Sequence, residues 1–425
     1  MKQSLCLHGV DFKHQSQFFA YVRQLLKPGS IKYKVKEKLF GHDDMYKYRQ
    51  ARLELSDNHG IKVRCIFGVL IVSDRVYPLA DVIMEFNGRD LESASSVKTL
   101  VRRFLAGKQR FILEDPDLEQ RIAQLRGEYY LEELDAYDRS TAATALYCHL
   151  PWQVFAINKL WQEVLGCQDK TVLRQLRVKL RRLRSVLSLL RPLLPEARAE
   201  HWKQLLKQRA GDLSLIREYD VALLICARIR MFRKQEELSC LEQLLLAERN
   251  QSAQHLVKDL KLNRLTGELA CFLLDIYSLK PTSEYSKLSL KEFFVQRFDN
   301  WQTKILVLPK KYPDFQNMEQ LHKIRIKVKR FRYALQCVPE LKASNGLLRS
   351  LKALQDSLGL LHDDYINDCM VADILAQQPD NELLHYEGAV FSGWEQGRAD
   401  AAMEGLACQW ETFSQQLKEW AEDNL

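Results

Sequence analysis

The chain has 425 residues, 46% hydrophobic and 28% charged, with a net charge of +8; this is the balance of an ordinary soluble globular protein, long enough for two or three domains. No stretch approaches the roughly 20 apolar residues that span a bilayer, and the opening MKQSLCLHGVDF lacks the basic region and apolar core of a signal peptide. Ten cysteines without a CxxC pair or nearby histidine spacing argue against zinc or a disulfide framework, and the expected location is the cytosol.

Up to about residue 90 the chain reads as strands and turns. In the run Ile31-Lys32-Tyr33-Lys34-Val35-Lys36-Glu37-Lys38 the lysines alternate, so as a strand they share one side. Ile61-Lys62-Val63-Arg64 repeats the pattern after the turn-like Ser56-Asp57-Asn58-His59-Gly60. Val69 to Val72 and Val82 to Phe86 read as apolar strands, and a helix is expected over Ser95 to Ala106. The helical period dominates from about residue 117, with helix ends expected at Pro151, Arg191-Pro192, Pro195, Pro281, Pro309 to Pro313 and Pro339. These periods give an α+β domain over 1–115, a connector over 116–139 and an all-α part over 140–425.

Two segments of that all-α part match. Leu173-Arg174-Gln175-Leu176-Arg177-Val178-Lys179-Leu180-Arg181-Arg182-Leu183-Arg184 aligns with Leu321-His322-Lys323-Ile324-Arg325-Ile326-Lys327-Val328-Lys329-Arg330-Phe331-Arg332. Every basic residue of the first meets a basic residue or histidine in the second, and apolar positions meet apolar ones. The separation is far longer than a solenoid repeat, so a whole module is duplicated. On a helical wheel Arg174, Arg177, Arg181 and Arg184 cluster on one face, as do His322, Arg325, Lys329 and Arg332. Leu176, Leu180, Leu183 and Leu187 lie opposite, as do Ile324, Val328, Phe331 and Leu335.

A solvated helix face normally interleaves acids at i+3 or i+4, because like charges at that spacing destabilise a helix. Neither Thr171–Leu190 nor Leu321–Gln336 contains one Asp or Glu. Repulsion tolerated twice, in register, implies an external anion. The arginines favour phosphate, whose oxygens accept the bidentate fork of a weakly hydrated guanidinium. No GxxxxGK[ST] or GxGxxG loop is present for a single small phosphate. A row of cations one turn apart suits a flexible chain of phosphates better than a rigid duplex.

These segments resemble the CHAD module, the conserved histidine α-helical domain. The resemblance continues through Leu213-Ser214-Leu215-Ile216-Arg217-Glu218-Tyr219-Asp220-Val221, similar to the family's LGxxRDxDV, and Leu354 to Asp364, similar to its LQDxLGxLND; Gly393-Trp394 and Trp410 to Phe413 also fit. It implies two four-helix bundles about a pseudo-twofold axis, about 140–280 and 281–425, with the basic helices lining a shared groove that binds inorganic polyphosphate. Carried over by position, the groove consists of Arg174, Arg177, Lys179, Arg181, Arg182, Arg184, His322, Arg325, Lys329, Arg330, Arg332 and Tyr333. The histidine expected in the first copy is Arg174, which stays charged where histidine does not, so binding through that half is expected to depend less on pH. The acids of Arg217–Asp220 and His362–Asp364 either hold a phosphate-bound Mg²⁺ or orient the arginines, the second being the expectation.

Residues 1–110 resemble, faintly, a CYTH-type triphosphate tunnel domain. Such an enzyme carries an ExExK strand whose carboxylates hold its metal, whereas Ser4-Leu5-Cys6-Leu7-His8 has no acid. Glu54 and Glu85 are the acids expected within strands facing the interior, and Lys32, Lys34, Lys36, Arg49, Arg52, Lys62 and Arg64 are either a surviving cationic half or an ordinary solvated edge. The resulting expectation is a cytosolic protein, with polyphosphate granules as a place of association, that binds polyphosphate without catalysis, metal or cofactor. The competing readings are a metal-dependent tri- or polyphosphatase and nucleic-acid binding by the same cations.

Overall fold

The computed structural model describes the chain except residues 1, 27–30, 41–45, 56–60, 73–74, 88–89, 118–120, 122–140, 168, 233–237, 260–263, 280–282, 309–317, 337–343 and 425. Packing divides it into two compact units. The first comprises Met1–Gln168, Pro192–Pro195 and Asp259–Leu290; the second comprises Asp169–Arg191, Glu196–Lys258 and Lys291–Leu425.

The first unit is built on an antiparallel six-stranded sheet of order β2-β3-β4-β5-β1-β6. Its strands are β1 (Lys2–Gly9), β2 (Ile31–Phe40), β3 (Tyr46–Leu55), β4 (Lys62–Val72), β5 (Arg75–Asn87) and β6 (Phe111–Glu114). Period-two alternation sets β4: Val63 and Cys65 are buried whereas Lys62 is exposed and Arg64 half-buried. Helix α1 (Gln15–Leu26) lays Phe18 near Phe67, with ring centroids 5.7 Å apart. Helix α2 (Leu91–Ala106) starts four residues before the expected Ser95, because Asp90 caps it by accepting from the Glu92 and Ser93 backbone N–H groups. Strand β6 is an addition to the elements expected from the pattern; it pairs with β1 through Cys6–Gly9 and Phe111–Glu114.

Two helices of the region expected to be all-α pack within this unit. Helix α3 (Ala142–Cys167) contacts α8 (Arg264–Tyr277), and both contact β6. Helix α8 buries Leu265, Leu269, Phe272, Leu273, Leu274 and Ile276, an apolar surface too wide for one neighbour. Within the unit it also meets α2 through a Lys98–Asp275 ion pair of 3.1 Å. The wholly buried Thr266 and Asn158 share a 2.8 Å hydrogen bond. Division by packing therefore falls elsewhere than at residues 140 and 281. Pro151 does not end a helix as expected, since α3 runs through it. The intrahelical bond it cannot donate is offset by a buried stripe of Leu150, Val154, Ile157 and Trp161.

The second unit is helical. Its elements are α4 (Lys170–Leu189), α5 (Glu196–Asp212), α6 (Ser214–Phe232), α7 (Ser239–Asp259), α9 (Leu290–Leu306), α10 (Met318–Leu335), α11 (Asn345–Gln377), α12 (Glu382–Glu404) and α13 (Leu406–Asn424). Helices related by the repeat meet in pairs, α4 against α10 and α6 against α11. Both apolar stripes are buried as their period requires: Leu176, Leu180, Leu183 and Leu187 on α4, and Ile324, Val328, Phe331 and Leu335 on α10. Phe331 stands edge-on to Phe298 of α9 and to Trp420 of α13, at centroid distances of 5.4 and 5.7 Å.

Phe331 therefore ties three helices. Phe331→Ala is expected to lower unfolding free energy by about 3–5 kcal/mol, and Phe331→Leu by clearly less, as read by chemical denaturation.

Candidate anion-binding face

With their leucines turned inward, α4 and α10 bring their cations together. Arg177 and Arg325, equivalent positions of the repeat, are each only 8% exposed. Arg177 donates from Nη2 to Ser214 Oγ at 3.0 Å. Arg325 lies 3.5 Å from one oxygen of Asp363 on α11, and Arg217 of α6 donates to the other at 2.5 Å. Arg182 donates to Gln336 at 3.0 Å and Arg332 to Gln355 at 2.7 Å. Even so, the Nε groups of Arg177, Arg182, Arg184 and Arg325 are buried without a hydrogen-bond partner. A buried donor left unsatisfied costs about 1–3 kcal/mol, so packing these arginines together is itself unfavourable.

The electrostatics show the same deficit of negative charge. Burial, then the neighbouring Arg181 and Arg217, push Arg177 down to about 9. Burial lowers Arg325 to about 10 against the opposing pull of Asp363, with Arg181 and Arg217 adding to the fall. Guanidinium is too basic to lose its proton at neutral pH, so these shifts register burial first and crowding of like charge second. Lys329 is different: burial, then Arg325 and Arg181, bring its ammonium to about 7. Arg184 is lowered by burial and by Arg181 and Arg330, and Arg330 by burial and Arg191. Asp363 lies well below the usual carboxylate range, because the hydrogen bonds from His362 and Arg217 and the charges of Arg217 and Arg325 outweigh its burial.

The expected residues thus divide. Arg177, Arg181, Arg325 and Lys329 gather around Asp363 and Arg217. Tyr333 lies beside Arg181, and the Arg184 and Arg330 charges feel one another. Lys179 is half-buried with contacts of its own. Arg174 and His322 are exposed near the starts of their helices, and His322 stacks on His362 with centroids 5.0 Å apart and planes 18° apart. Burial, then the charges of His362, Arg325 and Lys329, lower the His322 pKa. Arg217, Ser214, Gln336 and Gln355 join the site from outside the expected set. Arg217 and Ser214 sit in the motif Leu213–Val221, and Gln355 in the motif Leu354–Asp364, so the sequence carries a signal for them. Asp363 orients arginines, as expected of that stretch.

In the sheet, Lys34 stands opposite Arg52 and Arg52 opposite Arg64, but the side chains of Lys32, Lys34, Lys36, Arg49, Arg52 and Glu54 lie outside the described residues. Lys62 is exposed, and Arg64 pairs with Glu85 at 3.4 Å. Glu54 and Glu85 are not the only strand acids: Asp81 of β5 is wholly buried, 2.7 Å from His8 Nδ1 and 2.7 Å from Arg121 Nη2. A buried carboxylate persists when its oxygens are so paired, and here both oxygens are taken by the chain itself. Among the described residues no three His, Cys, Asp or Glu side chains converge as a metal-ligand set.

The model of the CHAD domain matches residues 153–372, just over half of the chain, including both basic helices and both acidic motifs. The chain belongs to the CHAD-domain family. The CHAD domain from the plant Ricinus communis has a similar structure at 21% identity and a TM-score of 0.52, covering 64% of this chain and 93% of that one. PptA from Streptomyces chartreusis is similar at 16% identity and a TM-score of 0.50, covering 64% of this chain and all of that one. At these identities the likeness concerns the CHAD fold alone. No curated protein sequence matches the chain. Among the described residues no helix is long and apolar enough to cross a membrane.

Asp363 should be the counter-charge that lets this CHAD face assemble. Its folded pKa is depressed, so its contribution is present above the unfolded value of about 4 and lost as pH falls through the folded one. Asp363→Asn should lower stability by about 3 kcal/mol at pH 7, with the gap to wild type closing only in strong acid. Added sulfate should raise the melting temperature of the variant more than that of wild type.

Proposed function

We propose that the α4–α10 face binds inorganic polyphosphate without transforming it. The observation that carries this reading is the gathering of Arg181, Arg184, Lys329 and Arg330, half-buried cations from both copies of the repeat, on one face where cations outnumber the acids Asp363 and Glu218. A chain of phosphates offers closely spaced anionic oxygens that such donors bind through charge-assisted bonds. Membership of the CHAD family supports the same reading. A phosphatase would need acids free to hold metal at the phosphate, whereas Asp363 is engaged by two arginines. A nucleic-acid site would interleave aromatic rings among its cations for stacking; on this face the sequence supplies Tyr333. The proposed setting is the cytoplasm, including the surface of polyphosphate granules.

Purified protein is expected to bind long-chain polyphosphate, with log affinity falling linearly against log salt as counter-ions are released. The change of Arg177, Arg181, Arg325 and Lys329 to Glu should abolish binding, and the milder pair Arg181→Gln and Lys329→Gln should weaken it without relieving the salt dependence altogether. Wild-type affinity for both variants, once folding is verified by circular dichroism, would remove this face from the reading. Single-stranded RNA should compete poorly at equal phosphate concentration, and release of orthophosphate in Mg²⁺ or Mn²⁺ would restore the enzyme alternative.

The lysine gives a second test. A bound polyanion raises the Lys329 pKa from its free value of about 7, so binding takes up a proton near neutrality. Affinity should be full below about pH 7 and decline as pH rises above it. Lys329→Arg should flatten that decline, and titration calorimetry in buffers of different ionisation enthalpy should register the proton.

A further inference from the structure

A second charged cluster lies in the helical unit, on the side of α11 that faces α12 instead of the basic face. Asp364 follows Asp363 by one residue and is therefore turned about 100° around the helix. It is 8% exposed, and its Oδ1 is buried without a hydrogen-bond partner. Asp368, one turn further on the same side, also has a buried Oδ1 without a partner. The charges that bear on Asp364 are those of Asp368, Glu395, Asp400 and Arg398. Four carboxylates thus face one guanidinium, and that guanidinium is already engaged: Arg398 Nη1 is 2.6 Å from Glu395 Oε1. The second oxygen of Glu395, a residue 2% exposed, accepts from Asn367 at 3.0 Å. Asp400 accepts from Gln396 at 2.7 Å. Asp364 and Asp368 are the members with buried oxygens left over.

Elsewhere in the same unit an acid in this situation has an arginine. Asp220 of α6 is paired with Arg249 of α7 at 3.1 Å. Burying carboxylates without such a partner is expensive, and two remedies exist for a close pair: they share a proton, or a cation joins them. Asp364 and Asp368 are one turn apart on the same side of α11 and each has a buried oxygen without a donor, a spacing at which one cation can serve both.

We propose that Asp364 and Asp368 hold a hard divalent cation of the Mg²⁺ or Mn²⁺ type between α11 and α12, with Glu395 as a fixed negative neighbour. One or two carboxylates and a shell of retained water are the usual protein share of a Mg²⁺ site. This site is distinct from a Mg²⁺ carried on bound phosphate, since Asp363 turns toward Arg217 and Arg325 while its neighbour turns away.

The test uses full-length protein freed of polyanion by high salt and chelator, titrated with Mn²⁺ and followed by electron paramagnetic resonance. Wild type should bind one ion per chain, and Mg²⁺ should displace it. Asp368→Asn, at the less buried position, should weaken Mn²⁺ binding by about tenfold or more, and Asp364→Asn with Asp368→Asn should abolish it while polyphosphate affinity stays unchanged. Absence of bound Mn²⁺ in wild type at millimolar metal would overturn the site in favour of a shared proton. Equal Mn²⁺ binding by wild type and Asp368→Asn would overturn its location. Polyphosphate binding is measured separately, so either proposal can fail while the other stands.

Discussion

The helical unit depends on one unfavourable contact made tolerable. Helices α4 and α10 each hide an apolar stripe, and packing them against one another forces two cationic faces into proximity. The hydrophobic term drives the contact, at about 1.5–3 kcal/mol for each fully buried leucine or phenylalanine. Repulsion among Arg177, Arg181, Arg325 and Lys329 opposes it, and Asp363 and Glu218 are internal anions that moderate it. Two carboxylates cannot neutralise that many cations. The remaining imbalance is visible as arginine donors without acceptors and as a lysine whose proton is loosely held.

This residual strain is organised by position. At the centre, burial and neighbouring charge combine, and Lys329 is brought to neutrality because an ammonium starts from a lower value than a guanidinium. At the outer turns, Arg174 and His322 are exposed, so exchange of histidine for arginine in the first copy alters the rim and leaves the centre as it was. The pH sensitivity expected from histidine chemistry is therefore shared with a lysine near the middle of α10, a role no residue-type rule assigns to it.

The basic faces and their opposing leucines are legible in the sequence by itself, because a 3.6-residue repeat is a local property. The start of α2 is marked by its cap Asp90, yet Leu91 is the one large apolar residue of the first turn, so the period becomes readable only near Ser95. Pro151 misleads, since a proline argues against helix locally and tertiary burial of Leu150, Val154, Ile157 and Trp161 overrides that argument. Asp81 stands just outside the apolar run Val82 to Phe86 that signals the strand; pairing of β1 with β5 sets it opposite His8. The packing of α3 and α8 in the sheet unit, and the depression of Lys329, arise only from distant segments meeting, and no window of sequence contains them.

The exchange of charge between the two repeats has an evolutionary reading. Arg217 of the first copy bonds to Asp363 of the second, while Glu218 of the first copy feels His362 of the second. Arg217-Glu218 and His362-Asp363 occupy matching places in the two motifs, so each copy supplies its acid to the basic residue of the other. Reciprocal donation of that kind is the signature of an isologous interface, in which residue i of one subunit meets residue j of its mate and the reverse. A single ancestral copy would have completed this arrangement only as a symmetric dimer. With both copies in one chain the two halves need not be identical, and a position such as 174 can differ on one side without differing on both.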